Sequence, residues 1–326
     1  MRAKRFIGID GGASKTAGAL IGGNGEVLAR ARTRGSAIVG RPSPESLETL
    51  SAVVAELTGK AGAAAHDVAR VGIGLNGVDF EDETPMQAAE IACALGMPDG
   101  RITLVNDGIA ALWGATTAPA AVILQHGSGV TAAYRSEHGR EHLFDHLNVG
   151  KLFDLRMAAI ALVARMIDGR ENATSLKKAI LEHLGLRFEP EYAEAVFRKH
   201  IPLQRQLSVA SVVFDQWQNG DPAAVSLVER ALEDYARTAS AMIRKTACAD
   251  VDAVFGGGVI AHAPAAVWTA LEEKVRARVP AANVRRPALP PEFGAALMAA
   301  FLEGMDIGTV FRRMAEEQHL HPEVSP

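Results

Sequence analysis

The residues with the clearest chemical potential lie near the start of the chain, where Asp10 is followed by Gly11 and Gly12. A carboxylate at the end of a strand can hold a hydrated Mg²⁺. Two glycines let a phosphate come close to the backbone because they carry no Cβ. The hydrogen-bond donors that follow are Ser14, Lys15 and Thr16. The stretch predicts a phosphate-binding turn, and the alternative is a plain hairpin with a glycine-rich turn.

Two familiar nucleotide-binding loops do not fit this stretch. A P-loop needs a glycine before its lysine and a helix after it, whereas Ser14 precedes Lys15 here. The short apolar run at 17–21 is followed by Gly-Gly-Asn-Gly at 22–25, which is typical of a hairpin turn. Because a strand rather than a helix follows the glycines, a Rossmann dinucleotide loop is also excluded.

The composition is that of a soluble globular protein of about two domains. The chain has 326 residues, of which 48% are hydrophobic and 22% charged, and its formal net charge is −4. No cluster of Lys and Arg indicates a nucleic-acid partner, and no apolar run approaches the roughly 18 residues of a membrane span. The N-terminus lacks the apolar core of a signal peptide. Cys93 and Cys248 are far apart, so we expect no disulfide scaffold and a cytoplasmic location.

Apolar periodicity and turn residues predict two halves built on one plan. In the first half we expect strands near 5–10, 16–22, 26–33, 68–75 and 101–107, and helices near 44–60, 83–95 and 108–115. In the second half we expect strands near 120–126, 129–136, 140–145, 251–255 and 283–286, and helices at 264–278 and 290–304. Both halves thus follow the order βββαβαβ, which indicates an internal duplication.

The predicted domain limits follow from this plan. The first domain spans residues 1–117 and the second spans residues 118–304, with Thr-Thr-Ala-Pro at 116–119 as the boundary. A helical insertion of about 150–247 belongs to the second domain. We expect residues of about 305–326 to return to the first domain as a helix that ends in a disordered tail.

Three further segments place glycines or a carboxylate at the ends of predicted strands. In LVNDGIAALWGA (104–115), Asp107 ends a strand and precedes a helix, so a helix N-cap is the alternative to a chemical role. In LQHGSGVTAAYRSEHG (124–139), a glycine turn joins two strands, and in VDAVFGGGVIAHAP (251–264), a strand runs through three glycines into a helix. The turn residues are Gly127, Ser128 and Gly129 in the first of these and Gly256, Gly257 and Gly258 in the second.

Together with DGGASKT (10–16), these segments resemble the motifs of the actin-like ATPase superfamily of sugar kinases, Hsp70 and actin. More closely, the chain resembles the branch of N-acetylglucosamine kinases and BadF/BadG/BcrA/BcrD-type ATPases, whose closing helix is similar to PPEFGAALMAAFLEG (290–304). The resemblance covers nearly the whole chain. It implies an α/β fold of two duplicated ribonuclease H-like domains with ATP in the cleft between them, and it implies a homodimer.

The resemblance also implies a role for each of these residues in phosphoryl transfer. Asp10 would coordinate Mg²⁺ through water, and Asp107 would be the catalytic base for the acceptor hydroxyl. The implied ATP contacts are Gly11, Gly12, Ser14, Lys15 and Thr16 in the first domain, Gly127, Ser128 and Gly129 in the second, and Gly256, Gly257 and Gly258 beside the adenosine.

The segments expected to hold the sugar depart from the family. N-acetylglucosamine kinases carry an Asn-rich turn after the third strand and an acidic GDEGS stretch, where this chain has GSAIVGRP (35–42) and FDHLNVGKLFDLRM (144–157). His126 stands where a serine is usual before the phosphate glycines. Three explanations stay open: a different acceptor, different contact residues, or impaired phosphoryl transfer. The polar candidates in the second segment are Asp145, Asn148 and Asp154.

Three functions fit the sequence. The first is an ATP-dependent kinase that acts on an amino sugar such as N-acetylglucosamine or glucosamine. The second is an ATPase that drives a partner, like the activators of acyl-CoA reductases or dehydratases. Those activators hold an iron–sulfur cluster through two cysteines near the interdomain region, and neither Cys93 nor Cys248 is expected there. The third is a nucleotide- or sugar-sensing protein with little catalysis, to which no DNA-binding segment is attached.

Overall fold

The computed structural model describes residues 4–186 and 188–320 as an α/β protein. The strands are β1 (Arg5–Gly11), β2 (Thr16–Gly22), β3 (Val27–Thr33), β4 (Val68–Leu75), β5 (Ile102–Asn106), β6 (Ala121–His126), β7 (Val130–Arg135), β8 (Glu141–Leu143), β9 (Asp252–Gly256) and β10 (Asn283–Arg285). The helices are α1 (Pro44–Lys60), α2 (Thr84–Leu95), α3 (Asp107–Ala115), α4 (Leu155–Ile167), α5 (Ser175–Leu184), α6 (Glu189–Phe197), α7 (Leu203–Leu207), α8 (Val209–Gln218), α9 (Pro222–Thr246), α10 (Gly258–Ala261), α11 (Ala265–Arg278), α12 (Pro291–Leu302) and α13 (Ile307–Leu320). None of these described helices is long and apolar enough to cross a membrane.

Two five-stranded sheets repeat the same topology. The first has the order β3-β2-β1-β4-β5, and the second has the equivalent order β8-β7-β6-β9-β10. In each sheet the first three strands of the chain pair antiparallel, and the last two join them in parallel. The duplicated α/β fold that the sequence predicts is therefore confirmed.

Most predicted elements form close to their predicted limits, and the differences have local causes. The predicted cap of α1 is present, because the Ser43 side chain accepts a hydrogen bond from the Ser46 N–H at 3.2 Å. The predicted strand 101–107 ends one residue early, since Asn106 caps α3 by accepting from the Gly108 N–H at 2.8 Å. The N-cap of α3 is therefore Asn106, and the alternative role of Asp107 as N-cap is wrong. The predicted disordered tail at 321–326 lies outside the described residues.

The two sheets are joined by an exchange of helices. Helix α3 follows the last strand of the first sheet, yet its Leu112 packs with Ile123 and Val254 of the second sheet. Helix α12 follows the last strand of the second sheet, yet its Phe293 packs with Phe6 of the first. The opposite face of the first sheet is covered by α1 and α2, and that of the second by the helices between β8 and β10. Each domain thus completes its core with a helix from the other half of the chain.

The exchanged helices meet each other and the sheet at glycines. A Cβ added at Gly294 of α12 would lie 2.0 Å from the carbonyl oxygen of Ala110 and 2.4 Å from the nitrogen of Gly114, both in α3. A Cβ added at Gly8 of β1 would lie 2.0 Å from the carbonyl oxygen of Glu292. Backbone atoms cannot move aside as a flexible side chain can, so this joint accepts only glycine at these positions.

Replacing Gly294 by alanine should lower the free energy of unfolding by about 2–3 kcal/mol, because the new methyl group overlaps the α3 backbone. Gly59→Ala is the matched control, since Gly59 is also helical and has nothing within 4 Å of an added Cβ. Because alanine has a higher helix propensity than glycine, each substitution should by itself stabilise its helix by roughly 1 kcal/mol. Urea unfolding followed by circular dichroism compares them, and equal stability of the two variants would contradict the packing described here.

Candidate active site

The candidate site lies at the carboxyl ends of the parallel strands of the first sheet, which is where ligands bind in open α/β sheets. Asp10 of β1 pairs with Gly74 of β4, and Asp107 begins α3 directly after β5. A Cβ added at Gly74 would lie 2.3 Å from the Ala110 side chain and 3.4 Å from the Cα of Asp107. The glycine at this position therefore lets α3 bring Asp107 close to Asp10.

The turn after β1 leaves backbone donors unused. The Gly12 N–H donates to the Lys15 carbonyl at 2.9 Å, and the Gly12 carbonyl accepts from the Ser36 N–H at 3.1 Å. In contrast, the N–H groups of residues 13–15 donate to no backbone oxygen within the described ranges. A Cβ at Gly11 would lie 2.5 Å from the Ser36 hydroxyl oxygen, so a side chain there would displace Ser36. The turn is held in shape while its tip keeps N–H groups for a ligand.

The side chains of this turn differ in exposure. Ser14 and Lys15 are half-buried. Thr16 is fully buried, and its hydroxyl donates to the Ser36 hydroxyl oxygen at 2.8 Å. Thr16 therefore braces the turn, and a phosphate contact through its side chain would require this hydrogen bond to break.

Asp10 lies in a crowded, poorly hydrated position among other carboxyl groups. Burial, together with the carboxylates of Glu292 and Asp107, raises the pKa of Asp10 to about 8, although the nearby Lys15 ammonium opposes the shift. Burial also raises the pKa of Glu292, against the opposing effects of Lys15, Arg30 and Arg32. A surplus of carboxylates over cations around Asp10 is an environment that favours a bound cation.

Asp107 is contacted from both domains. Burial and the Asp79 carboxylate raise the pKa of its carboxyl to about 6, and the neighbouring Asn76 side chain, Gly108 N–H and Thr131 hydroxyl oppose the rise. The Thr131 hydroxyl donates to the side chain of Asn106, the residue before Asp107, at 3.4 Å. The Gly108 N–H lies 3.0 Å from the carboxylate oxygen. Thr131 belongs to β7 of the second sheet, so the carboxylate stands at the joint between the domains.

The glycine turns of the second domain lie against each other. The turn Gly127–Gly129 is closed by a hydrogen bond of 2.8 Å from its first N–H to its last carbonyl, and Ser128 at its tip is exposed. Gly257 has a φ of 83°, and a Cβ there would lie 2.5 Å from the carbonyl carbon of His126. Gly256 ends β9 and the exposed Gly258 begins α10. The predicted phosphate and adenosine turns are thus neighbours.

Several polar residues of the site carry no clear signal in the sequence. Asn76 and Asp79 follow β4, and the strand-end rule identifies them once β4 is known to lie beside β1. Asp79 accepts from the Asn106 side chain at 2.9 Å. Glu292 lies in the first turn of α12, and only the crossing of α12 onto β1 brings it near Asp10. No local pattern could have identified Glu292.

The segment with the predicted sugar contacts forms a 3-10 turn, Asp145–Asn148, and leads into α4. The side chains of Asp145 and Asn148 lie outside the described part of the structure. Asp154 caps α4 by accepting from the backbone N–H groups of Arg156 at 2.9 Å and Met157 at 3.2 Å. A sugar contact by Asp154 stays a prediction.

Two actin-like domains with glycine turns and carboxylates at the strand ends place the chain in the class of actin-like ATPases and sugar kinases. The sequence profile of the BadF/BadG/BcrA/BcrD ATPase family matches residues 7–299. The chain belongs to this family, and the nucleotide that the family uses is ATP.

Individual relatives agree with this assignment. An N-acetylmuramic acid/N-acetylglucosamine kinase from Clostridium acetobutylicum is 26% identical over 265 residues, which cover 79% of this chain and 86% of the relative. The crystal structure of a candidate N-acetylglucosamine kinase from Chromobacterium violaceum matches with a TM-score of 0.68 and 21% identity, over 91% of this chain and 99% of that one. A glucokinase of the ROK family from Streptomyces griseus, solved with glucose and AMPPNP, matches with a TM-score of 0.61 and 18% identity, over 90% and 98%. At these identities the two solved structures show a shared fold.

Replacing Asp10 by asparagine should stabilise the ligand-free protein at pH 9 by up to about 5 kcal/mol, since each unit by which the pKa of Asp10 is raised corresponds to about 1.4 kcal/mol. The pKa of Asp10 in the folded protein, about 8, lies above its unfolded value of about 4. Ionisation therefore lowers stability as the pH rises from about 4 to about 8, and the two proteins should be equally stable near pH 4. Urea unfolding at both pH values measures the difference. The exposed Asp99→Asn is the control, and a pH-independent gain in the Asp10 variant would show that the carboxyl is not destabilised by its surroundings.

Proposed function

We propose that this protein is an ATP-dependent kinase that phosphorylates an amino sugar such as N-acetylglucosamine or glucosamine. The observation that carries the proposal is the environment of Asp107, whose pKa of about 6 leaves it largely deprotonated at neutral pH. A base with a pKa near the working pH accepts a hydroxyl proton effectively. Thr131, whose hydroxyl donates to the neighbouring Asn106, lies two residues after the Gly127–Gly129 turn, so the base and the proposed phosphate site are adjacent. The Clostridium relative carries the name of such a kinase.

The nucleotide would bind across the two domains. The free N–H groups of residues 13–15 and the exposed tip of the Gly127–Gly129 turn offer donors to phosphate oxygens. The exposed Gly258, which has nothing within 4 Å of an added Cβ, offers room for the adenosine beside Gly256 and Gly257. Bound Mg²⁺ would neutralise charge on the transferred phosphoryl group. The carboxylate surplus at Asp10 fits this cation, and within the described ranges no group of three His, Cys, Asp or Glu could hold a metal directly, which favours contact through water.

The acceptor would lie beside Asp107, among Asn76, Asp79 and Thr131. The Asn76 carbonyl accepts from the Ile38 N–H at 2.9 Å, so the loop at 35–42 lies directly against Asn76. That loop lacks the asparagines of the N-acetylglucosamine kinases that the chain resembles. The Asn76 side-chain amide, at the end of β4, therefore lies next to the loop where those kinases have their asparagines. We infer that Asn76 and Asp79 contribute to recognition of the sugar.

Two other functions of the same fold receive less support. A partner-driving ATPase with a shared iron–sulfur cluster needs cysteines near the domain junction, whereas Cys93 lies on α2 and Cys248 follows α9, where its thiol donates to the Asp250 carbonyl. A sensor with little catalysis is favoured only by the altered segment at 144–157. The homodimer implied by the resemblance is part of the proposal, and sedimentation velocity tests it.

ADP release with Mg·ATP, measured against N-acetylglucosamine, glucosamine, N-acetylmuramic acid, N-acetylmannosamine and glucose, tests the function. We expect a rate that depends on an amino sugar and exceeds the rate without acceptor at least tenfold. ATP binding with no acceptor-dependent rate would overturn the kinase and direct attention to a sensing role. A rate that is high without any acceptor would instead favour a partner-driving ATPase.

Asp107→Asn should lower turnover by at least about 100-fold, because the amide cannot accept the acceptor proton. The affinity for ATP should change little, since the substitution is nearly isosteric. In the wild type, kcat/KM for the sugar should fall about tenfold per pH unit below about 6, as Asp107 becomes protonated. Steady-state kinetics from pH 5 to 8 measure both effects, and near wild-type turnover of the variant would remove Asp107 from the role of base.

A further inference from the structure

A buried polar cluster lies directly behind the second phosphate turn. His126, the last residue of β6, is fully buried, and its Nδ1 lies 2.5 Å from the Tyr235 hydroxyl. Its Nε2 has no hydrogen-bond partner among the described residues and lies 3.8 Å from a carboxylate oxygen of Asp154. Burial lowers the pKa of His126 to about 4, so the imidazole is neutral at physiological pH. The strand end before the turn is therefore fixed in place by α9 and faces the start of α4.

Arg156 connects this cluster to the turn itself. Its side chain is only 7% exposed, and its Nη2 donates to the backbone carbonyl of Ser128 at 2.9 Å. The same guanidinium donates to both carboxylate oxygens of Asp154, at 3.3 Å from Nε and 3.1 Å from Nη2. Burial of Asp154 opposes its ionisation, but the hydrogen bond and charge of Arg156 outweigh burial and lower its pKa. The carboxylate is thus charged and holds the guanidinium in one orientation.

The bond to Ser128 determines which way the tip of the turn faces. The peptide bond between Ser128 and Gly129 is trans, so the Gly129 N–H points opposite to the Ser128 carbonyl. Because Arg156 holds the carbonyl, the N–H is directed away from α4 and stays free for a ligand. The N–H at the start of the turn is already used by the Gly129 carbonyl. The Gly129 N–H is therefore a donor that remains for a phosphate, and the guanidinium orients it.

We propose that Arg156, held by Asp154, is a positioning residue that orients the Gly127–Gly129 turn toward the phosphates of the nucleotide. The inference rests on the proposed binding of ATP at this turn, and it adds a specific pair of residues that orients the turn. Both residues belong to the segment at 144–157 that departs from the N-acetylglucosamine kinases. The changed segment thus acts on the nucleotide side of the site as well as on the acceptor side.

The experiment compares the affinities of Mg·ATP and adenosine, measured by isothermal titration calorimetry without acceptor. Arg156→Gln should weaken Mg·ATP binding about tenfold, the typical effect of losing one charge-assisted hydrogen bond. Adenosine lacks phosphates, so its affinity should stay within about twofold. Arg156→Lys keeps the charge but not the planar fork, and it should recover part of the loss. Arg165→Gln on the same helix removes an exposed arginine paired with Glu171 and is the matched control.

In steady state, the KM for ATP should rise in Arg156→Gln while the KM for the sugar stays near its wild-type value. Unchanged Mg·ATP affinity in Arg156→Gln would overturn the inference. An equal loss for Mg·ATP and adenosine would also overturn it, since that pattern indicates a general loss of structure. These results differ from failure of the proposed function, which is the absence of acceptor-dependent turnover in the wild type.

Discussion

The crossing of α3 and α12 is the constraint on which the rest of the structure depends. Each helix covers the sheet of the domain that it does not continue, so neither domain has a complete core without the other. The backbones approach so closely at Gly114 and Gly294 that no side chain fits between them. This joint holds the two sheets together, and the end of β5 meets the start of β7 beside it, where the Thr131 hydroxyl donates to Asn106 at 3.4 Å.

The site stores electrostatic strain in the absence of ligands. Asp10, Asp107 and Glu292 share a poorly hydrated region, in which Lys15 interacts with Asp10 and Glu292, while Arg30 and Arg32 interact with Glu292. Such an arrangement lowers the stability of the empty protein and is relieved by a ligand that brings positive charge. A cation bound with the nucleotide would supply that charge, so binding and folding stability are linked at this site. The raised pKa of Asp107 has a second consequence, because it places the carboxyl in the range where proton transfer at neutral pH is efficient.

Much of this architecture is predictable from the sequence, and the reasons are local. Strand alternation, the Ser43 cap and the glycine turns at 11–12, 127–129 and 256–258 each act within a few residues. The repeated order of elements then predicts the duplicated sheets. Asn76 and Asp79 could also be predicted, since they follow β4 and ligands bind at the carboxyl ends of parallel strands. Glu292 and Arg156 were not, because their roles depend on contacts with Asp10 and Ser128 that lie far away in the chain.

The departures from the N-acetylglucosamine kinases fall on both sides of the site. The loop at 35–42 lacks asparagines but lies against Asn76, and the segment at 144–157 lacks the acidic pair but provides Asp154 and Arg156. On the function proposed above, these changes belong to a rebuilt site that carries out phosphoryl transfer.

The central claim is that the γ-phosphate of ATP is transferred to a sugar hydroxyl, and ³¹P nuclear magnetic resonance tests it most directly. The protein would be incubated with Mg·ATP and N-acetylglucosamine or glucosamine, and the products followed over time. The account predicts a phosphomonoester resonance, coupled to sugar protons, that grows in equal amount with ADP. ADP accompanied only by inorganic phosphate, or no consumption of ATP with any amino sugar, would contradict it.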